Sequence, residues 1–176
     1  MCIRDSDSTY TYYGRHVAGI VGRLSGDVEK AYNNGAIYNA YAATGGIAGW
    51  MYKGSINNAF NTGNITVNNR DSSTSQVGGI VGAVNVGSEE INLTNLYNLG
   101  TLRSFKLDSG NNAVGGIVGA IMNYQHNINI SNAYTTGNIY VDDYSGNLVK
   151  SIYGEVRGAR EYDGGPLNSV SYTHLR

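Results

Sequence analysis

A block of the form small-Gly-Ile-Val/Ala-Gly returns four times in 176 residues: Ala18-Gly19-Ile20-Val21-Gly22, Gly45-Gly46-Ile47-Ala48-Gly49, Gly78-Gly79-Ile80-Val81-Gly82 and Gly115-Gly116-Ile117-Val118-Gly119. A worn fifth copy follows as Ser151-Ile152-Tyr153-Gly154. The last glycines stand at 22, 49, 82, 119 and 154, so the spacings are 27, 33, 37 and 35 residues. Repeats of that length belong to stacked architectures, in which one unit cannot bury its apolar face alone and hides it against the next.

The columns around the last glycine define the local structure. Two residues before it stands Ile20, Ile47, Ile80, Ile117 or Ile152, and two after it Leu24, Met51, Val84, Ile121 or Val156. This alternation reads as a strand with one buried face, which includes the glycine and is approached closely by backbone or a bulky neighbour. The residue directly after the glycine varies (Arg23, Trp50, Ala83, Ala120, Glu155) and is expected to face outward, with Trp50 at least partly exposed. Charges are rarely buried unpaired, and two members of that column are charged.

A second block opens at Val28, Ile56, Leu93 or Ile130 and continues as Ala31-Tyr32-Asn33-Asn34-Gly35, Ala59-Phe60-Asn61-Thr62-Gly63, Leu96-Tyr97-Asn98-Leu99-Gly100 and Ala133-Tyr134-Thr135-Thr136-Gly137. Asn58, Asn95 and Asn132 share one position, with Lys30 in the first copy. Asn and Gly tolerate left-handed backbone, so these Asn and Gly columns read as corners between short strands. A closing strand carries Ile37, Ile65-Thr66-Val67, Leu102 or Ile139-Tyr140-Val141. Amphipathic helical spacing is absent. The expected fold is all-β: a right-handed parallel β-solenoid of about four to five coils, with about three short strands per coil and a height of roughly 20 Å at the spacing of paired strands. The segments Asn68–Gln76, Asn85–Asn92, Arg103–Ala113 and Asn123–Asn129 vary in length between repeats and are expected to be surface loops.

Composition narrows the function classes. A net charge of −1 argues against nucleic-acid partners and against electrostatic attachment to a membrane. No apolar run approaches the roughly 20 residues of a spanning helix, so no membrane insertion is expected in this segment. Both ends resemble translated sequencing-adaptor DNA. Met1-Cys2-Ile3-Arg4-Asp5-Ser6 is what ATG TGT ATA AGA GAC AGN encodes, and Ser169–Leu175 is encoded by the reverse complement of the same DNA. The expected organisation is therefore an adaptor-derived stretch at 1–6, the repeat segment of a larger protein at 7–168, and a second adaptor-derived stretch at 169–176. Cys2, the one cysteine, lies in the first of these, so the repeat segment has no disulfide or thiolate metal site.

The residues that could carry chemistry do not assemble into a constellation. Gly22-Arg23-Leu24-Ser25-Gly26 follows an apolar strand as a phosphate cradle would, but lacks the helix and the Lys-Ser/Thr pair that such a cradle needs. Glu89-Glu90 and Asp142-Asp143 are the adjacent acidic pairs. Neighbours on a strand point to opposite faces, and the two pairs occupy unrelated repeat positions, so solvated loop carboxylates are the expected reading over glycoside hydrolysis. Asp142-Asp143-Tyr144-Ser145-Gly146-Asn147 has oxygen ligands without the spacing of an EF-hand loop. His16 and His126 are isolated. No catalytic, cofactor-binding or metal-binding residues and no cofactor are expected. Tyr32, Phe60, Tyr97 and Tyr134 form one aromatic column, kept for its ring because Phe60 has no hydroxyl, and the pattern leaves its direction open. The remaining tyrosines (Tyr10, Tyr12, Tyr13, Tyr38, Tyr41, Tyr52, Tyr124, Tyr140, Tyr144) fall outside it, and exposed ones would suit a glycan-binding platform.

The blocks Gly-Gly-Ile-Val-Gly, Ile-Ser-Asn-Ala-Tyr and Thr-Gly-Asn-Ile resemble the GLUG repeat of large bacterial surface proteins, including filamentous-haemagglutinin-like adhesins and proteins associated with immunoglobulin A peptidases. The resemblance covers nearly all of Val17–Val141. It implies an extracellular or cell-surface location, no enzymatic activity, and a structural or adhesive role toward host or environmental glycans or surface proteins. A β-helix carbohydrate-active enzyme and a phage-fibre spacer are the alternatives.

Overall fold

In the computed structural model, residues 16–39, 43–69, 74–85, 90–106, 112–122, 128–142, 147–156 and 170–171 are described. Each circuit of the chain lays strands on four successive ladders. The first ladder stacks His16–Ala18, Ala43–Gly45, Ser75–Gly78, Asn112–Gly115 and Leu148–Lys150. The second stacks Val21–Ser25, the first part of Ala48–Asn61, Val81–Asn85, Val118–Met122 and Tyr153–Val156. The third takes Val28–Glu29 and Tyr32–Asn33, the rest of Ala48–Asn61, Ile91–Asn98, Ile128–Thr135 and Val170–Ser171. Ile37–Asn39, Ile65–Asn69, Leu102–Lys106 and Ile139–Val141 make the fourth. Because Ala48–Asn61 runs unbroken from the second ladder into the third, the four ladders form three sheets. Every strand pairing among the described residues is parallel. This is an all-β parallel solenoid of four circuits and part of a fifth.

The isoleucine column is inside. Ile47, Ile80 and Ile117 are fully buried, Ile152 nearly so, and Ile20 packs against the same cluster from the first circuit. That cluster fills the space between the second and third ladders with Met51, Ile56, Val84, Ile91, Leu93, Leu96, Ile121 and Ile128. Burying each large aliphatic side chain contributes about 1.5–3 kcal/mol. A second cluster of Ile37, Ile65, Val67, Val77, Leu102 and Val114 lies between the fourth ladder and the first.

The strand register around the reference glycine departs from simple alternation. The isoleucines sit in the bend before the second ladder rather than within a strand. Val81 and Val84 both join the first core cluster, whereas Gly82 between them turns the other way: a Cβ there would lie 2.4 Å from the Thr44 amide nitrogen. The same holds at Gly119 against Val77, 2.5 Å, and at Gly154 against Val114, 2.6 Å. The reference glycines therefore face the first ladder, not the isoleucines, and allow two sheets to pack backbone on backbone. Real Cβ atoms do not tolerate such distances, so any side chain would force the layers apart.

This layering corrects the outward assignment of the column after the glycine. Arg23 is exposed and Trp50 half-buried, but Ala83 and Ala120 are fully buried against Ala43 and Ala113 of the first ladder. Trp50 packs on the His16 ring at 4.6 Å, and its indole nitrogen is buried without a hydrogen-bond partner. All four of the expected surface loops are also shorter than the sequence pattern suggests: Asn85 closes a second-ladder strand, and Ile91, Asn92, Ile128 and Asn129 open third-ladder strands. Asn68 and Asn69 continue one fourth-ladder strand and Arg103–Lys106 belong to another, while Ser75, Gln76, Asn112 and Ala113 open first-ladder strands. Asn69, Ser75, Ser104 and Asn112 are fully buried. Residues 70–73, 86–89, 107–111 and 123–127 lie outside the described residues.

Candidate functional site

The third ladder presents a regular outward surface in which like residues stack in register. Along Ile91–Asn98, Ile91, Leu93 and Leu96 point inward while Asn92, Thr94 and Tyr97 point away from the core. Asn95 interrupts the alternation with φ 55, as do Lys30, Asn58 and Asn132 at φ 54, 54 and 50. These are the corner positions anticipated from the asparagine column. Left-handed backbone costs an ordinary side chain roughly 1–2 kcal/mol, and Asn is among the few residues that adopt it readily.

Parallel register stacks like upon like. Tyr97 lies between Phe60 and Tyr134, and Phe60 lies next to Tyr32. Their rings stack at centroid distances of 5.3, 4.7 and 5.3 Å with interplanar angles of 11°, 3° and 8°. The column faces outward: Tyr32 is 57% and Tyr134 41% exposed. Phe60 and Tyr97 have a ring on both faces, so the middle of the column turns ring edges and the Tyr97 hydroxyl to solvent. Each stacked pair contributes about 0.5–1.5 kcal/mol to the fold.

The amides beside the rings form their own ladder. Asn132 Nδ2 donates to Asn95 Oδ1 at 3.0 Å, Asn95 Nδ2 to Asn58 Oδ1 at 3.0 Å, and Asn58 Nδ2 to Glu29 Oε1 at 3.0 Å. The Glu29 carboxylate only accepts, so it fixes the direction of every amide above it. Its other oxygen accepts from Asn57 Nδ2, and Asp27 accepts from both the amide and the hydroxyl of Ser55. Farther along the chain Asn129 donates to Asn92 Oδ1 and to Glu90. Between the asparagine and aromatic columns runs a groove lined by Asn58, Phe60, Asn95, Tyr97, Asn132 and Tyr134.

A second amide ladder lies on the inward side and was not foreseen; the Asn33, Asn61 and Asn98 column read as corners is in strands and buried. Asn33 Nδ2 donates to Asn61 Oδ1 at 2.7 Å, Asn61 Nδ2 to Asn98 Oδ1 at 2.8 Å, and Asn98 Nδ2 to Thr135 Oγ1 at 3.3 Å. Each of the three amides also donates to the carbonyl two residues on, of Gly35, Gly63 or Gly100. This inner ladder donates toward later circuits and the outer one toward earlier circuits, so their amide dipoles oppose. The second glycine of the first three blocks makes room for the inner amides, and Gly116 of the fourth for Thr135: a Cβ on Gly79 would lie 2.4 Å from Asn98 Cγ.

The acidic residues singled out in the sequence are absorbed by such bonds. Asp142 Oδ1 accepts from Asn112 Nδ2 at 2.7 Å in a cluster where Asn112 also accepts from the Ser104 hydroxyl and donates to Asn147 Oδ1. Glu90 precedes the third-ladder strand of one circuit and Asp142 follows the fourth-ladder strand of the next, and their partners Asp143 and Glu89 lie outside the described residues, as does His126. Gly22 sits in a strand against the His16 carbonyl, with no helix following it among the described residues. No group of three or more His, Cys, Asp or Glu side chains suited to a metal ion occurs among the described residues. Of the other tyrosines, Tyr38 is exposed, Tyr52 and Tyr140 lie beneath the guanidinium groups of Arg23 and Arg103 at 4.9 and 5.1 Å, and Tyr10, Tyr12, Tyr13, Tyr41, Tyr124 and Tyr144 lie outside the described residues. No family model matches the chain, and neither a curated protein nor a solved structure shows similarity to it.

Proposed function

We propose that this chain is a non-catalytic structural or adhesive segment of a secreted or surface-attached bacterial protein of the GLUG-repeat kind, acting outside the cell as a stalk or display surface. The reading is supported above all by how the polar side chains are used. Asp27, Glu29, Glu90 and Asp142 each accept hydrogen bonds from amides or hydroxyls of a neighbouring circuit, so these carboxylates extend the ladders rather than converge on a reacting centre. A general acid or base needs a partner and a space for a reacting atom. Regular outward ladders offer repeated binding groups instead, suited to glycans or surface proteins.

The test is adhesion of the purified protein to glycan arrays and host or environmental cells, run beside turnover assays on a polysaccharide panel. Saturable adhesion without turnover is expected. Turnover that is abolished by Glu90→Gln or Asp142→Asn, in variants that keep the wild-type circular dichroism, would overturn the non-enzymatic reading.

A further inference from the structure

The groove between the asparagine and aromatic columns has a definite length, direction and chemistry. Its six lining residues come from three successive circuits, two from each, so it runs along the solenoid axis. Its floor is main chain, because Ala59, Leu96 and Ala133 between the two walls point into the core. Lys30 and Tyr32 occupy the corresponding positions in the first circuit, so the amide wall ends there in a charge.

None of the six lining side chains is charged. An anionic ligand lying along these three circuits would lose hydration and meet a counter-charge only at the Lys30 end, which disfavours anionic polymers and nucleic acid. The walls instead offer hydrogen-bonding groups at every step. Each amide oxygen of Asn58 and Asn95 spends one lone pair on its ladder neighbour and keeps a second, and Asn132 Oδ1 accepts no bond from a described neighbour. Tyr97 and Tyr134 add hydroxyls that both donate and accept, and their outward ring edges with Phe60 supply apolar contact. Neutral polymers of hydroxyl-rich rings match this set. Spacing selects among them: circuits repeat every 4.8 Å or so, and an extended β-1,4-linked pyranose chain advances by nearly that step per sugar. Successive sugars therefore fall on successive circuits, and because each sugar is turned over relative to the last, alternate sugars present the same edge to equivalent groups.

Building on the reading that this chain binds rather than catalyses, we infer that the groove is a binding site for one extended, uncharged β-1,4-linked glycan chain lying parallel to the solenoid axis. Sugars lie along the ring edges and amides rather than on ring faces. Three circuits accommodate about three sugars at one per circuit, so affinity rises with oligosaccharide length and then levels off.

Calorimetric titration of the full chain with cellobiose, cellotetraose, cellohexaose and chitohexaose tests this, with β-1,4-linked hexamannuronate as the charged control. The expected result is binding of at least one neutral hexasaccharide. Its tetrasaccharide should bind almost as tightly and its disaccharide at least about tenfold more weakly, a factor equivalent to 1.4 kcal/mol, while hexamannuronate should bind more weakly still. Two variants locate the site. Asn95→Gly keeps the left-handed backbone while removing the amide, and Tyr97→Phe keeps the stack, which already contains Phe60, while removing the hydroxyl. Each should weaken binding by about fivefold, the value of one net hydrogen bond, with unchanged circular dichroism. Absence of binding by every neutral oligosaccharide overturns the inference, as does binding that ignores both variants or favours the charged control. Adhesion measured on cells stands apart: its presence with no oligosaccharide binding removes the groove inference alone, whereas turnover of the oligosaccharides removes the binding reading itself.

Discussion

Replacing Asn98 by Ala removes one rung from the buried amide ladder, and the structure sets the size of the effect. Asn98 accepts from Asn61 Nδ2 at 2.8 Å and donates to the Gly100 carbonyl at 3.0 Å and to Thr135 Oγ1 at 3.3 Å. Without it, one N–H of Asn61 and the Gly100 carbonyl lose their partners, while the Thr135 hydroxyl can rotate. Leaving a buried polar group unsatisfied costs about 1–3 kcal/mol, and the deleted amide leaves space beneath Gly79. The expected loss is about 3–5 kcal/mol, a large share of a typical domain's stability. Asn98→Thr copies the residue of the next circuit, restores an acceptor for Asn61 and should cost only about 1–2 kcal/mol. Asn95→Gly, an amide removed from the exposed ladder, should cost less than about 1 kcal/mol. Urea denaturation followed by circular dichroism, with Trp50 fluorescence as a second probe of cooperativity, measures all three. If Asn98→Ala and Asn95→Gly are equally mild, the inner ladder is not a buried, satisfied network and the packing described here is wrong.

Three further outcomes follow from the layering. Ile80→Asp places a charge in a fully buried site and should cost several kcal/mol or prevent folding, seen as loss of the cooperative transition. Gly82→Ala puts a Cβ 2.4 Å from the Thr44 nitrogen and 2.6 Å from the Gly49 carbonyl oxygen; neither backbone can yield, so a loss of at least about 1–3 kcal/mol is expected in urea titration. Trp50 fluorescence should show intermediate quenching by acrylamide, between that of a free indole and that of a core tryptophan, since the ring is half-buried on His16.

The sequence carried the repeat, the strand content, the inward isoleucines and the left-handed asparagines openly, because each has a local signature: a fixed spacing, an aliphatic side chain, or a residue that tolerates positive φ. Features that depend on contact between layers had none. Ala83 and Ala120 share a column with Arg23, and a small residue records neither burial nor exposure. The reference glycines looked like members of the isoleucine face because simple alternation places them there; only the packing of the first ladder on the second reveals their actual direction. Asn33, Asn61 and Asn98 read as corners because Asn tolerates left-handed backbone; a buried polar residue is costly alone, and its cost disappears only when identical amides stack in register. The groove was legible in halves, an asparagine column and an aromatic column, but its direction required knowing that Leu96 between them turns inward. No single-chain pattern reports the edge-on setting of the rings, which comes from stacking between circuits.

Circuits stack in parallel, like residue upon like. Leu93 is the sharpest reporter of this stacking, since it pairs with Ile56 on one side and Ile130 on the other, each 37 residues away in sequence. A nuclear Overhauser spectrum of the isotope-labelled chain measures this directly. Main-chain cross-peaks are expected from Leu93 to the neighbourhoods of both Ile56 and Ile130, with the partners' numbers increasing together along all three strands. Cross-peaks in which the partner numbers run in opposite directions, or short-range i to i+3 and i+4 contacts through Ile91–Asn98, would contradict the parallel stacking.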